Sequence, residues 1–401
     1  MKIRNKCLSC KNVNLKEIIN LGMHSFADRF IEKKNLGKKD PAYPLILDFC
    51  KKCKFIQSRV ITAPQDRYST IDYSYTSSNS NYSKNHWINY ADSLSKKFDL
   101  KGKKILEIGS NDGYLCNLFK KKGAFVIGVD ASKFMTKLSK SKKIDSVNSI
   151  FNLKESKRIK KRFGLFDFII ANNVFNHSDD PSNFLKGVFN LLNKNGYFIF
   201  EQPDFAIGAI SLKFDQIYHE HVSYFTSKNI RSILNHNKFK LIEISRNGYH
   251  GGSLRSIASK KNSKIFSKYI NLNQIKNYNQ IYKIKFYKKM MKKINIRKNI
   301  FLKKVNRLIN QNYIICGIGA AAKSNTFLTY YSLNNDIVKF VTDTSKYKKN
   351  KFTPYTRIPI RDDLEIKKYK KIACIILTWN ISNLVIKKIK KMNKNVKILY
   401  T

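Results

Sequence analysis

The sequence predicts an α/β protein built in three parts: a four-cysteine module followed by two blocks of alternating strands and helices. Two Cys-x-x-Cys pairs, "CLSC" (7–10) and "CKKC" (50–53), mark the first part. From about residue 100 the pattern runs "KKILEIG", "GYLCNLFKKKG", "AFVIGVD", then "FDFIIANN" and "GYFIFEQP". Such alternation argues for a mostly parallel sheet flanked by helices. A second alternation begins at 312 with "YIICGIGAAAKSNTFLTYY", "IVKFVTDTS" and "KIACIILTW".

The cysteine pairs come first in the chain. The start, "MKIRNKCLSCKN", has no apolar core of a secretory signal, so the expected setting is cytoplasmic and reducing. Doubled Cys-x-x-Cys spacing there predicts zinc rather than disulfides. Cys7, Cys10, Cys50 and Cys53 would fill a tetrahedral shell and leave no open position, so the metal is expected to be structural. Cys116, Cys316 and Cys374 sit singly in apolar contexts and read as core residues.

The expected division is 1–70 for the zinc module, 71–260 for the first α/β block, 261–310 for a helical connector and 311–401 for the last domain. "YSTIDYSYTSSNSNYS" (68–83) is too polar for core. "KLIEISRN" and "GGSLRSIASK" predict an antiparallel hairpin at the edge of the first sheet. In the connector, Tyr287, Met291, Ile294, Phe301, Val305 and Leu308 recur at helical spacing.

The charge balance is 78 basic against 27 acidic residues, a net +51. Excess of this size suggests nucleic acid or an anionic surface. The lysines are nevertheless spread through every segment along with Asn and Ile, which fits a compositional bias. No membrane insertion and no sequence-specific nucleic-acid partner are expected; a nucleic-acid methyltransferase or basic RNA-binding protein is the alternative.

"ILEIGSNDGYL" (105–115) sets a strand, an acid, a turn with Gly109 and Gly113, and a helix start in order. The glycines let backbone approach a ligand at the helix entrance. It is not a G-x-G-x-x-G loop, and no Walker lysine follows. It resembles the E-x-G-x-x-x-G loop of class I methyltransferases that use S-adenosylmethionine. Asp130, ending "AFVIGVD", stands where such enzymes hold the ribose hydroxyls. The resemblance implies cofactor contacts at Glu107, Gly109, Ser110, Asn111, Asp112, Gly113, Asp130 and Asn172. The Asn/Asp-Pro-Pro-Tyr stretch of amino-group methyltransferases is absent from "ANNVFNH" (171–177), as is the Pro-Cys of 5-methylcytosine enzymes.

"QIYHEHVSYF" (216–225) packs two histidines around a glutamate. Alone it reads as a polar edge strand, or, with His219 and His221 on one strand face, as a metal site. The order of motifs is more informative. "LGMHSFADRF", "PLILDFCKKCKFIQ", "YSYTSSNS", "NVFNH", "IYHEHVSYF", "HGGSLR", "GIGAAAKSNTF" and "LTWN" succeed one another along the chain. In this order they resemble the three-domain sugar C-methyltransferases, which methylate C3 of nucleotide-linked 4-keto deoxysugars. The implied fold is a class I methyltransferase sheet between an N-terminal zinc module and a second, Rossmann-like α/β domain. The implied catalytic residues are Tyr75, His177, Tyr218, Glu220 and His221, with His219 outside the motif.

Carbon methylation needs a base for a proton α to a ketone, and donors for the enolate oxygen. His221 or Tyr218 suits the first task, with Glu220 or Tyr218 orienting the imidazole and His177 or Tyr75 near the sugar oxygens. "GIGAAAKSN" should open a helix, where Lys323, with Asn325 beside it, can meet the substrate's diphosphate. The expected partners are therefore S-adenosylmethionine, structural zinc and a nucleotide-sugar substrate.

Overall fold

The computed structural model describes residues 2–68, 76–78, 80–265 and 278–401. Its largest sheet has seven strands in the spatial order Phe239–Asn247, Ser253–Lys260, Leu192–Pro203, Phe166–Asn172, Lys104–Ile108, Phe125–Asp130, Asp145–Asn148. The five strands from Leu192–Pro203 to Asp145–Asn148 are parallel. Ser253–Lys260 runs antiparallel to both of its neighbours. The chain order reverses between Lys104–Ile108 and Phe166–Asn172, so a crevice opens at their C-terminal ends, the place where such sheets bind ligands. The predicted edge hairpin is present, with its second strand inserted beside Leu192–Pro203. This is the class I methyltransferase sheet.

The N-terminal module is a four-stranded antiparallel sheet, of which Leu15–Ser25, Ala42–Cys50 and Ile56–Ser58 are local. Its fourth strand is Ser223–Tyr224, from the far end of the methyltransferase block. The last domain is a five-stranded, wholly parallel sheet centred on Ile314–Ile318. Its two central strands, Ile314–Ile318 and Ile372–Ile376, are continuous apolar runs, as strands covered on both faces require.

Helix Ile284–Asn310 spans 27 residues and holds the parts together. Tyr287, Met290, Ile294, Phe301, Val305 and Leu308 form its buried stripe. They share one core with Ile19, Leu45 and Leu47 of the zinc module, Phe205 and Tyr224 of the methyltransferase block, and Ile315, Phe327 and Leu328 of the last domain. Met290 rather than Met291 is the buried methionine; Met291 packs at the margin. Each fully buried side chain of this kind contributes about 1.5–3 kcal/mol. The three parts therefore share a core and fold around one helix, which fixes the crevice between them.

Candidate active site

The two cysteine pairs adopt the same local turn. The amide of Lys11 donates to the carbonyl of Cys7, and that of Lys54 to Cys50, at 3.0 and 2.9 Å. Both lysines take positive φ, 61° and 62°. These twin turns aim all four thiols inward, within 4.8 Å of one another. Cys7 and Cys53 Sγ are 3.5 Å apart, and Cys10 and Cys50 Sγ 3.6 Å. Four sulfurs about 2.3 Å from one zinc ion would stand roughly 3.8 Å apart, so the donor set fits the metal. The insert between the pairs, long for a zinc ribbon, forms two of the sheet strands and a loop that reaches the last domain.

In the glycine loop 107–113 Gly109 has φ 75°, and a Cβ there would lie 2.9 Å from Cβ of Val174. Gly113, also at positive φ, caps helix Tyr114–Lys121, and a Cβ on it would meet Ser139 Oγ at 2.5 Å. Asp130 accepts the amide of Asn111 through one oxygen and that of Ser132 through the other, both at 2.8 Å. It thus shapes the loop and still has lone pairs turned to the cavity beside it. Burial raises its carboxyl to about 6, against the pull of those two amides. Glu107 is buried beside Cys116, whose thiol donates to it at 2.9 Å, and burial raises this carboxyl to about 8.

Of residues 216–225 only Ser223–Tyr224 is strand, at the edge of the zinc-module sheet; the histidines precede it in irregular backbone. A single 3-10 turn, Phe214–Gln216, leads to a tight turn in which the amide of His221 donates to the carbonyl of Tyr218 at 3.0 Å. The two histidines consequently part company. His219 turns into the zinc module, edge-on to Phe26 and Tyr43. His221 faces the crevice, its ring 3.9 Å from that of Tyr218 and 5.1 Å from that of His177. This separation removes the geometric basis for a metal site using both. The next residues pair with the zinc module, while Thr326 of the last domain donates to the carbonyl of Ile217 at 2.9 Å. All three parts meet at this stretch.

His221 Nδ1 lies 2.9 Å from the carbonyl oxygen of Gln216. A carbonyl only accepts, so Nδ1 carries the proton and Nε2 keeps its lone pair. The expected orienters, Glu220 and Tyr218, do not do this; a backbone carbonyl does. Burial holds His221 neutral, down to about 4. Burial, then the neighbouring His221 and Arg67, also push His177 well below the usual histidine range.

One cavity of about 420 Å³ joins these groups. Glu107, Gly109, Asn111, Asp130 and Asn172 line its end at the glycine loop; His177, Tyr218 and His221 line it further on, and Ala321, Ala322 and Lys323 come from the last domain. Other predicted residues lie off its wall. Ser110 is buried, where it would collide with any Cβ on Gly128. Asp112 pairs with Lys142 at 2.9 Å, and Gly113 lies beneath the loop. Glu220 is buried behind Asp28, whose amide approaches Glu220 Oε1 at 3.4 Å. Asn325 donates to the carbonyl of Ala27 at 2.5 Å, tying the last domain to the zinc module. Tyr75 lies outside the described residues.

Several cavity residues carried no separate signal in the sequence. Asp28, Lys348, Trp87, Gln216 and His250 all line it. Asp28 and His250 fall inside motifs quoted above, "LGMHSFADRF" and "HGGSLR", so motif membership was the available pointer. Burial lowers Lys323 to about 8, with Asp215 opposing the shift; its ammonium donates to Asn380 and stands 4.3 Å from the ring centre of Trp379.

Family models match consecutive stretches of the chain: a zinc binding domain over 7–68, a methyltransferase domain over 83–244, and a C-methyltransferase C-terminal domain over 248–400. The C-methyltransferase NovU of Streptomyces niveus is 22% identical over 393 residues, 97% of this chain and 93% of that protein. Taken in order, the three models and this full-length relative make the chain similar to the three-domain C-methyltransferases. It is an S-adenosylmethionine-dependent C-methyltransferase with a structural zinc site. Other matches to this C-methyltransferase are partial. The ubiquinone biosynthesis O-methyltransferase of Coxiella burnetii is 27% identical over 108 residues, 27% of this chain and 46% of that protein. The magnesium protoporphyrin IX methyltransferase of Synechocystis, solved with bound SAH, overlaps 44% of this chain and 83% of its own at 18% identity and a TM-score of 0.36. Among the described residues no helix is long and apolar enough to cross a membrane.

Proposed function

We propose that this C-methyltransferase acts on a nucleotide-linked 4-keto deoxysugar, removing a proton α to the ketone and methylating the resulting enolate carbon. One observation carries the reading. A single cavity links the cofactor loop to a neutral imidazole whose Nδ1 is committed to a backbone carbonyl, and then to a lysine-bearing helix entrance. The motif order that resembles the sugar C-methyltransferases supplies the substrate class.

Bound S-adenosylmethionine would supply an electrophilic methyl on its sulfonium, held by the Glu107–Asn111 turn and Asp130. His221 takes the proton at Nε2, the Gln216 carbonyl steadies the imidazolium that forms, and the Tyr218 ring lies tilted beside it. The Tyr218 hydroxyl is the alternative base. His177, kept neutral, can donate to the enolate oxygen without placing a second charge beside His221. Such donors aimed at developing charge are worth more than in water because the site is buried. Lys323 meets the diphosphate as a point charge.

The test is mass spectrometry of products formed from isotopically labelled S-adenosylmethionine and a panel of nucleotide 4-ketosugars. The reading requires the label on a ring carbon next to the ketone. Label on oxygen or nitrogen, or no product with any panel member, contradicts it.

A further inference from the structure

Asp28 reaches the cavity from a different module than the residues that carry the chemistry. It stands in the loop after strand Leu15–Ser25 of the zinc module and is 8% exposed. Its neighbours fix it from two sides. Its amide points to Glu220 Oε1, and three residues on Ile31 exchanges backbone hydrogen bonds with Phe352 of the last domain, both at 2.8 Å. Among the described residues, no hydrogen-bond donor reaches the Asp28 carboxylate, although it lines the cavity. Lys348, on the same wall, spends its ammonium on the carbonyl of Ala320 at 2.8 Å and stands 3.9 Å from Asp343. Glu220 Oε2, just behind, is buried with no partner.

A buried carboxylate with no donor is costly, and two side by side are more so. Burial, opposed by Lys348 and reinforced by Asp343, raises the Asp28 carboxyl; burial and then Asp28 raise that of Glu220 to about 7. The arrangement lacks donors and favours a ligand that brings them. It disfavours a phosphate, which would add negative charge. Lys323, by contrast, lines the same cavity as a half-buried cation suited to the anionic end.

We propose that Asp28 is a specificity-determining residue that accepts a hydrogen bond from a donor on the sugar ring, hydroxyl or amino. Glu220 acts through it, as a positioning residue that holds the Asp28 backbone. The zinc module thereby supplies part of the substrate site. This inference rests on the sugar reading above.

The experiment compares wild type with Asp28→Asn on nucleotide 4-ketosugars that differ at one ring position, carrying hydroxyl, amino or hydrogen there. Asparagine keeps the shape and loses the charge-assisted acceptor, an interaction whose loss costs roughly ten-fold or more in affinity. For the position that Asp28 reads, KM should rise at least that much with the hydroxyl or amino sugar and stay nearly level with the deoxy sugar. The hydroxyl and amino arms identify which donor is used. Affinity for S-adenosylmethionine and zinc content should match wild type, which separates this outcome from a folding defect. An unchanged KM throughout, or an equal rise for the deoxy sugar, overturns the proposal and leaves the sugar reading standing. Wild-type protein that methylates no panel member overturns the sugar reading, and this proposal with it.

Discussion

The Nδ1 atom of His221 lies 2.9 Å from the carbonyl oxygen of Gln216, five residues earlier at the end of the preceding 3-10 turn. This bond sets the tautomer of the proposed base without a carboxylate. With His221 held neutral down to about 4 by burial, its basic form is present across pH 5–8. The folded-state value is lowered, so protonation, and with it loss of the base, is expected only as pH falls towards 4. Burial raises three carboxyls towards neutrality, Asp130 to about 6, Glu220 to about 7 and Glu107 to about 8, and we assign an acidic limb of kcat/KM near pH 7 to Glu220, the neighbour of His221. Replacing it, Glu220→Gln, should remove such a limb; a limb near 7 that survives in that variant would show the wrong group was assigned.

Zinc loss should reach the reaction cavity. The zinc-module sheet includes Ser223–Tyr224, which begins two residues after His221, and shares the central core. Cys50→Ser should give protein with less than one zinc per chain, lower thermal stability and little methylation, because the metal supplies folding free energy. Full activity in zinc-free protein would refute this coupling.

Asp130→Asn should weaken S-adenosylmethionine binding by roughly ten-fold or more, since its carboxylate both shapes the loop and faces the cofactor end of the cavity. Because the Asn111 and Ser132 amides also lose charge-assisted acceptors, a stability loss of about 1–3 kcal/mol should accompany it. Calorimetry giving unchanged affinity would displace the cofactor from this loop.

Gly251 presses on the last domain. A Cβ there would lie 2.2 Å from the ring of Trp379, and its φ is 85°. Gly251→Ala should cost about 1–3 kcal/mol from backbone strain alone, besides displacing Trp379. Trp379 carries Lys323 over its ring and donates to Asp215 at 2.6 Å. The variant should therefore lose substrate affinity far more than cofactor affinity. Equal loss of both would mean a general folding defect.

Local patterns made most of the architecture legible. Alternating apolar runs announced both α/β blocks, and the doubled cysteine spacing announced a thiol cluster that the twin turns at Lys11 and Lys54 bring together. The stripe from Tyr287 to Leu308 announced a helix, but not that it would bind three modules into one core. Residues 216–225 were less legible, because a turn places His219 and His221 on different sides where a strand would place them together. Asp28 and Lys348 carried no signal of their own. Each becomes part of the cavity only through contacts between residues far apart in the chain, such as Ile31 with Phe352. Asn325 stands two residues from Lys323, and that step of about 200° around the helix sends its amide to Ala27 rather than to the cavity.

The central claim is that the His221 site removes a proton from carbon next to a ketone. Hydrogen–deuterium exchange at that carbon, followed by NMR with a nonreactive cofactor analogue bound, tests it without methyl transfer. Wild type should exchange the proton for solvent deuterium. His221→Asn should lose both exchange and methylation by roughly 10²–10⁴-fold, while cofactor affinity stays level. His219→Asn should exchange nearly as wild type does. Near-normal exchange in His221→Asn, together with a large loss in His219→Asn, would contradict the account.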